Sequence, residues 1–190
     1  IARAVDMAKK VIEEKNPTLS QKEKKKIAWT VGVGAVKYND LSQNRLTDIV
    51  FNWEKMLSFE GNSAPYLQYA HARINSLWEK YKEENRLEAL MSSRKAVRWD
   101  LLREDAEKDI LRLLLKYPET VENAAEENGP HLIALYVFNL ASAYNVFYNS
   151  FPILKAEKDL RHSRLALSEA AAIVIRNGLA LLGIEAPERM

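Results

Sequence analysis

The fold is organised around residues 59–73, which read Phe59-Glu60-Gly61-Asn62-Ser63-Ala64-Pro65-Tyr66-Leu67-Gln68-Tyr69-Ala70-His71-Ala72-Arg73. A polar loop with a glycine leads into Pro65. Proline is tolerated in the first turn of a helix, because the N–H group that it lacks would have no partner there. The apolar residues that follow keep helical spacing, so a helix is predicted from Pro65 to about Lys82.

Helical periodicity extends over most of the remaining chain. Apolar residues recur every three or four positions in residues 1–15, after Ser20, from Val97 to about residue 117, in 130–149 and in 155–182, and residues 118–128 predict a short acidic helix. Ser20 and Glu23 have the spacing of a capping box, and Gly183 is typical of a helix end. Gly32 and Gly34 indicate that another element, most simply a helix, packs closely there. We predict an all-α helical bundle.

One short segment departs from the helical pattern. Asp48-Ile49-Val50-Phe51-Asn52-Trp53 alternates in polarity and is rich in β-formers, which predicts an extended segment near residues 48–53. A lone strand needs hydrogen-bond partners, and the rest of the chain predicts none. The chain also begins with Ile1-Ala2-Arg3-Ala4 and not with Met. We therefore expect the sequence to be part of a longer protein.

Composition excludes several classes of function. The 190 residues contain 28 basic and 26 acidic side chains, a net charge of +2, and no cysteine. Disulfides and thiolate metal sites are excluded, and a cytoplasmic location is expected. No apolar run approaches the roughly 20 residues that span a bilayer, so no membrane partner is expected. Because His71, His131 and His162 lack ligand spacing and no nucleotide-binding motif occurs, we expect no metal site and no catalytic residue.

The helix that opens at Pro65 carries side chains suited to RNA. Tyr66 and Tyr69 are three positions apart and project from one side of the helix, flanked by Gln68, His71 and Arg73. Single-stranded RNA loops are bound by such sets, because bases stack on aromatic rings while polar groups contact base edges and phosphates. The alternative is that both tyrosines pack against neighbouring helices with satisfied hydroxyls. These residues alone leave both interpretations open.

A series of longer motifs runs in order through nearly the whole chain. They are Gly32-Val33-Gly34-Ala35-Val36-Lys37-Tyr38, Asp48-Ile49-Val50-Phe51-Asn52-Trp53, Phe59-Glu60-Gly61-Asn62-Ser63-Ala64-Pro65-Tyr66-Leu67-Gln68-Tyr69-Ala70, Arg164-Leu165-Ala166-Leu167, Asn177-Gly178-Leu179-Ala180-Leu181-Leu182-Gly183 and Pro187-Glu188-Arg189-Met190. Together they resemble the C-terminal part of the arginyl-tRNA synthetase family.

The resemblance implies a fold, a partner and a division into domains. The family consists of class I enzymes that ligate arginine to tRNA with ATP and Mg²⁺, and the catalytic motifs lie upstream of this region and do not occur in this chain. Residues 58–190 correspond to the DALR-type anticodon-binding bundle, and residues 1–57 to a remnant of the stem-contact junction after the catalytic domain. The expected partners are tRNA(Arg) and that catalytic domain. We expect the fragment itself to be monomeric, catalytically inactive and free of cofactors.

The resemblance also implies site residues. Tyr66, Tyr69 and Arg73 match positions that contact the anticodon loop, where cytosine 35 is a main identity base. Tyr148 matches an aromatic residue on the other wall, and Met190 matches a C-terminal methionine that shapes the pocket. The anticodon-arm loop corresponds to residues 57–64, with Ser58, Glu60, Gly61 and Asn62 as its contacts. Pro152 stands where some members have tryptophan.

Two further expectations complete this interpretation. Gln68 and His71, on other sides of the helix, are expected to be structural, and the segment from Gly32 to Tyr38 is expected to face the catalytic domain. The alternatives are a non-enzymatic helical scaffold that binds proteins, or the anticodon-binding bundle of another class I synthetase. The Gly-x-Gly-Ala-x-Lys-Tyr run and the Glu-Arg-Met end argue against the second alternative.

Overall fold

The computed structural model describes residues 1–15, 19–48, 51–85 and 97–190. The α-helices in these residues are α1 (Ala2–Lys15), α2 (Gln21–Leu41), α3 (Trp53–Met56), α4 (Ala64–Glu84), α5 (Asp105–Leu115), α6 (Tyr117–Glu126), α7 (Pro130–Ser150) and α8 (Lys158–Leu181), with a 3₁₀ turn at Trp99–Leu101. None of the described residues forms a β-strand. The prediction of an all-α bundle is confirmed.

Several helices begin and end where local chemistry predicts. The Ser20 hydroxyl accepts a hydrogen bond from the Glu23 backbone N–H, and the Glu23 carboxylate accepts one from the Ser20 N–H, which completes the capping box of α2. Pro65 lies in the first turn of α4, whose cap is Ser63. Gly183 follows α8 with a φ of 67°, a left-handed conformation that glycine adopts without strain.

Two predicted boundaries differ from the structure. The helix predicted from Val97 begins only at Asp105, because the backbone N–H of Glu104 bonds to the Glu107 carboxylate in a second capping box. In the segment predicted to be extended, Ile49 and Val50 lie outside the described residues. Asn52 is extended, with φ −140° and ψ 117°, but its side chain caps α3, so Trp53 belongs to a helix.

The buried side chains form two hydrophobic cores. The larger core is shared by α4 to α8 and includes, among others, Leu67, Ile74, Ile110, Val137, Leu140, Tyr144, Phe147, Leu167 and Ile175. The smaller core joins α1, α2 and the end of α3 through residues such as Ala4, Ala8, Ile12, Val31 and Met56. Helix α2 also packs on α4, which connects the two cores. Helix α4 therefore has one side towards α7 and another towards α2.

The glycines of α2 lie where neighbouring groups come close. A Cβ atom on Gly32 would lie 2.7 Å from backbone atoms of Val5 in α1, and one on Gly34 would lie 2.8 Å from Nε2 of Gln68. The predicted close packing of a helix is thereby confirmed. Gly32, Gly34 and Tyr38 are all buried within this chain. Val33 and Val36 are half-buried and Lys37 is exposed, so the expectation that this segment faces another domain stays a prediction.

The C-terminal tail, residues 184–190, is tied to α2 and α4. Nε2 of Gln68 donates to the Glu185 carbonyl at 2.7 Å, and Nδ1 of His71 donates to the Pro187 carbonyl at 3.0 Å. Nζ of Lys37 donates to the Gly183 carbonyl, just before the tail. Gln68 and His71 are both buried. The prediction that these two side chains are structural is confirmed.

Burial of His71 is expected to make the fold less stable in mild acid. Burial lowers the pKa of His71, and Arg176 lowers it further, whereas the Pro187 carbonyl and Glu188 act in the opposite direction. Because the folded state favours neutral imidazole, His71 contributes stability above its unfolded pKa of about 6.5, and that contribution is lost as the pH falls through the folded value. We expect the unfolding free energy, measured with urea, to fall more between about pH 7 and pH 5 in the wild type than in His71→Gln. Equal losses in both proteins would contradict this.

Candidate nucleic-acid interface

Two tyrosines and an arginine from two helices form a stack. Tyr69 and Arg73 lie one turn apart on α4, and Cζ of Arg73 is 4.7 Å from the centroid of the Tyr69 ring. The same atom is 5.0 Å from the centroid of the Tyr148 ring, which α7 contributes. The guanidinium therefore lies between two aromatic rings, an arrangement stabilised by cation–π attraction. We call Tyr69, Arg73 and Tyr148 the tyrosine–arginine stack.

Asn145 on α7 connects this stack to Tyr66. Its Oδ1 accepts a hydrogen bond from Nη1 of Arg73 at 3.0 Å, and its Nδ2 donates to the Tyr66 hydroxyl at 2.7 Å. The Tyr66 hydroxyl also lies 3.4 Å from Oγ of Ser142, and the Tyr66 ring packs 5.9 Å from the ring of Phe138. Tyr66 is half-buried behind Asn145. It supports the stack, and its hydroxyl already has protein partners.

The stack is accessible and positively charged. Tyr69 is 38% exposed, and Arg73 and Tyr148 are half-buried. In the part of the chain that the structure describes, no carboxylate lies within ion-pair distance of Arg73. The guanidinium thus presents its charge at a surface lined by aromatic rings. Such a surface suits a single-stranded nucleic acid, which offers both bases and phosphates.

The loop that precedes α4 is held in a fixed shape beside the stack. Oγ of Ser58 accepts a hydrogen bond from the Glu60 N–H, and the Asn62 amide oxygen accepts one from the buried Tyr38 hydroxyl. Gly61 has a φ of 75°, which favours glycine, and its surroundings are open. Glu60, Gly61 and Asn62 are exposed. Phe59, between them and Ser58, packs its ring 6.3 Å from that of Tyr69.

Met190 lies apart from the other predicted site residues. It packs against the smaller core and lines a cleft together with His71 and Asn75. At 100° per residue, those two side chains lie on the opposite side of α4 from Tyr69 and Arg73. The structure therefore brings Tyr66, Tyr69, Arg73 and Tyr148 together, but not Met190. A role for Met190 in RNA binding stays a prediction.

A buried ion pair supports the wall that carries Tyr148. Nε of Arg164 on α8 donates to Oε1 of Glu107 on α5 at 2.7 Å, and the two side chains are only 6% and 0% exposed. Nη1 of Arg164 also donates to the Pro152 carbonyl at 3.1 Å. Its guanidinium lies over the rings of Phe147 and Phe151 at the end of α7. Sequence reasoning singled out neither this role of Arg164 nor Asn145.

The part of the chain that the structure describes contains neither a cluster suited to a metal ion nor a helix suited to crossing a membrane. Within residues 1–15, 19–48, 51–85 and 97–190, no group of three or more His, Asp or Glu side chains is arranged to hold a metal ion. Among the helices α1 to α8, none has the length and apolar character needed to cross a membrane.

Two family models match the chain, one for each of its parts. The model described as "DALR anticodon binding domain" matches residues 67–190, well over half of the chain. The chain belongs to this family. A second model, "tRNA synthetases class I (R), catalytic domain", matches residues 1–53. The DALR match begins within α4 and covers the helices that carry the tyrosine–arginine stack.

Curated relatives and solved structures agree with this membership. An arginine–tRNA ligase from Pyrococcus abyssi is 48% identical over 190 residues, and one from Escherichia coli is 42% identical over 189 residues. These matches cover 100% and 98% of this chain but only 30% and 31% of the relatives. A structure titled Thermus thermophilus arginyl-tRNA synthetase has a TM-score of 0.86 and 33% identity, and covers 100% of this chain and 31% of that one. The resemblance to this family is confirmed, and the chain spans about a third of the length of such relatives.

Proposed function

We propose that this DALR domain is the C-terminal part of an arginine–tRNA ligase and binds the anticodon loop of tRNA(Arg). The match of the whole chain to about a third of the length of such enzymes supports the parent activity. On this proposal, ATP and Mg²⁺ are used by the catalytic domain of the longer protein, and this chain contributes recognition only. Residues 1–57 then form the junction with that domain, residues 58–190 form the anticodon-binding bundle, and the location is cytoplasmic.

The observation that carries the proposal is the tyrosine–arginine stack. Unstacked bases of an anticodon loop gain stacking energy on Tyr69 and Tyr148, and the charge of Arg73 attracts the neighbouring phosphates. The rigid loop of residues 58–62 lies beside Tyr69 through Phe59, where it would follow the anticodon arm. A scaffold for protein partners would not need an accessible guanidinium between two rings.

The proposal is tested by binding of the chain to RNA stem-loops. One stem-loop carries an arginine anticodon, and a second differs only at position 35. We expect the second to bind about tenfold more weakly, because base-edge hydrogen bonds are lost while stacking and phosphate contacts remain. Fluorescence anisotropy at several salt concentrations measures both affinities. Equal binding of the two loops, or no binding of either, would overturn the proposal and leave the protein-binding scaffold as the better interpretation.

A further inference from the structure

We propose that Asn145 is a positioning residue for RNA recognition, because it fixes the guanidinium of Arg73 in the gap between Tyr69 and Tyr148. Asn145 lies three residues before Tyr148 and so shares its face of α7. Its amide oxygen accepts from Arg73, and its amide nitrogen donates to Tyr66. Both ends of the amide are thus used to connect α7 to α4. The role in RNA binding rests on the proposed function, whereas the tether itself does not.

The rings alone do not account for the position of Arg73. An arginine side chain loses much rotamer freedom when it is held in one conformation, and cation–π attraction at partly exposed rings does not exceed that cost. No carboxylate among the described residues pairs with Arg73. Asn145 supplies the one directional protein contact that this guanidinium makes in the described structure. Without that contact, Arg73 is expected to leave the gap and sample solvent.

The fixed position of the Arg73 guanidinium determines which protein groups are available to contact the RNA. A guanidinium has five N–H donors in a rigid plane, and Asn145 takes one of them. Because the group fills the gap between Tyr69 and Tyr148, a base cannot insert there. The remaining donors are oriented for a phosphate of the RNA backbone, and bases are left to stack on the outer parts of the rings. The ligand of Arg73 is therefore a backbone phosphate of a single-stranded loop.

A double-mutant cycle tests the positioning role. Asn145→Leu keeps the number and branching of the side-chain heavy atoms but has no hydrogen-bonding group, and Arg73→Met keeps the apolar stem without the charge. We expect Asn145→Leu to weaken binding of the arginine-anticodon stem-loop about tenfold, as for a lost hydrogen bond to a charged group. The slope of log affinity against log salt should become shallower, by up to about 0.7 for one phosphate contact on a single strand. In the Arg73→Met background, Asn145→Leu should change affinity less than about twofold. The same loss in both backgrounds would show a merely structural role and overturn the inference.

An asparagine elsewhere on α7 provides the matched control. Asn139 is exposed on another side of the helix, so Asn139→Leu should leave both the affinity and the salt slope unchanged. A loss with Asn139→Leu equal to that with Asn145→Leu would mean that any such change in α7 weakens binding, and would overturn the inference.

A second measurement needs no RNA. The side-chain protons of Arg73 lie between two aromatic rings, so their NMR signals should show ring-current shifts in the wild type and move towards ordinary arginine values in Asn145→Leu. Unchanged shifts would overturn the tether. If the wild type binds no stem-loop, the proposed function fails, but the NMR comparison still decides whether Asn145 holds Arg73. The two failures are therefore distinguishable.

Discussion

Replacing Arg164 with methionine is expected to reduce the unfolding free energy by about 3–5 kcal/mol. The change leaves the carboxylate of Glu107, which is 0% exposed, in the protein interior without its cation. Glu107 would keep only the backbone N–H of Glu104 as a partner among the hydrogen bonds described. A buried charge without compensation is among the most destabilising changes that a single substitution produces.

Methionine isolates the loss of the charge from the loss of packing. It keeps a flexible apolar stem against Phe147 and Phe151, which Arg164 now covers. It cannot donate to the Pro152 carbonyl, so the segment between α7 and α8 also loses an anchor. Removal of the Arg164 guanidinium alone therefore breaks the hydrogen bonds from α8 to α5 and to the segment that follows α7. The end of α7 carries Tyr148, so a shift there would also disturb the proposed RNA interface.

Urea unfolding followed by circular dichroism measures this effect. Arg112→Met is the matched control, since Arg112 forms an exposed ion pair with Asp109 in α5 and should unfold close to the wild type. The double variant Arg164→Met with Glu107→Leu should recover much of the loss, because an apolar pair needs no compensation. A loss in Arg164→Met no greater than in Arg112→Met would contradict the assigned importance of the pair.

The parts of the fold that depend on neighbouring residues were predictable from sequence. The Ser20 and Glu23 capping box, the start of α4 at Pro65 and the end of α8 at Gly183 each follow from groups within a few positions. The facing of Tyr69 and Arg73 likewise follows from their four-residue spacing on one helix. Local hydrogen bonding and helical geometry are sufficient for these features.

The contacts that build the site depend instead on distant parts of the chain. Asn145 lies 72 positions from Arg73, and Glu107 lies 57 positions from Arg164, so no local pattern indicates either pair. Tyr148 was placed opposite Tyr69 only by resemblance to the synthetase family. The one available signal for Asn145 was its position three residues before Tyr148, which places both on one face.

At the two wrongly predicted boundaries, a capping side chain determines where the helix begins, and hydrophobic periodicity does not reveal it. The apolar spacing of Val97 and Leu101 fits a helix, but Glu104 caps α5 and fixes its start at Asp105. Similarly, alternation predicted that Trp53 is extended, whereas the Asn52 side chain accepts a hydrogen bond from the Lys55 N–H and starts a short helix. In both places a capping side chain outweighed the hydrophobic pattern.

Replacing Tyr148 with alanine is expected to cause the largest loss of RNA affinity at the proposed interface. Stacking of a base on an aromatic ring contributes about 1–3 kcal/mol, which the alanine variant loses directly. The ring is also one of the two that enclose the Arg73 guanidinium. Its removal frees Arg73 on one side, so the phosphate contact should weaken as well. The combined loss should therefore exceed that of Tyr66→Ala, whose ring supports the stack from behind.

Tyr148→Phe separates the ring from the hydroxyl in this experiment. No hydrogen bond to the Tyr148 hydroxyl is found within the described residues, so the phenylalanine variant should bind the arginine-anticodon stem-loop like the wild type. Tyr148→Ala should bind about 10- to 100-fold more weakly, and its salt slope should be shallower because Arg73 is less fixed. Urea unfolding of both variants checks that each is folded at the temperature of the binding assay. If Tyr148→Ala is folded and binds like Tyr148→Phe, the stack does not contact RNA, because an accessible ring that carries a stacked base cannot be removed without loss of affinity.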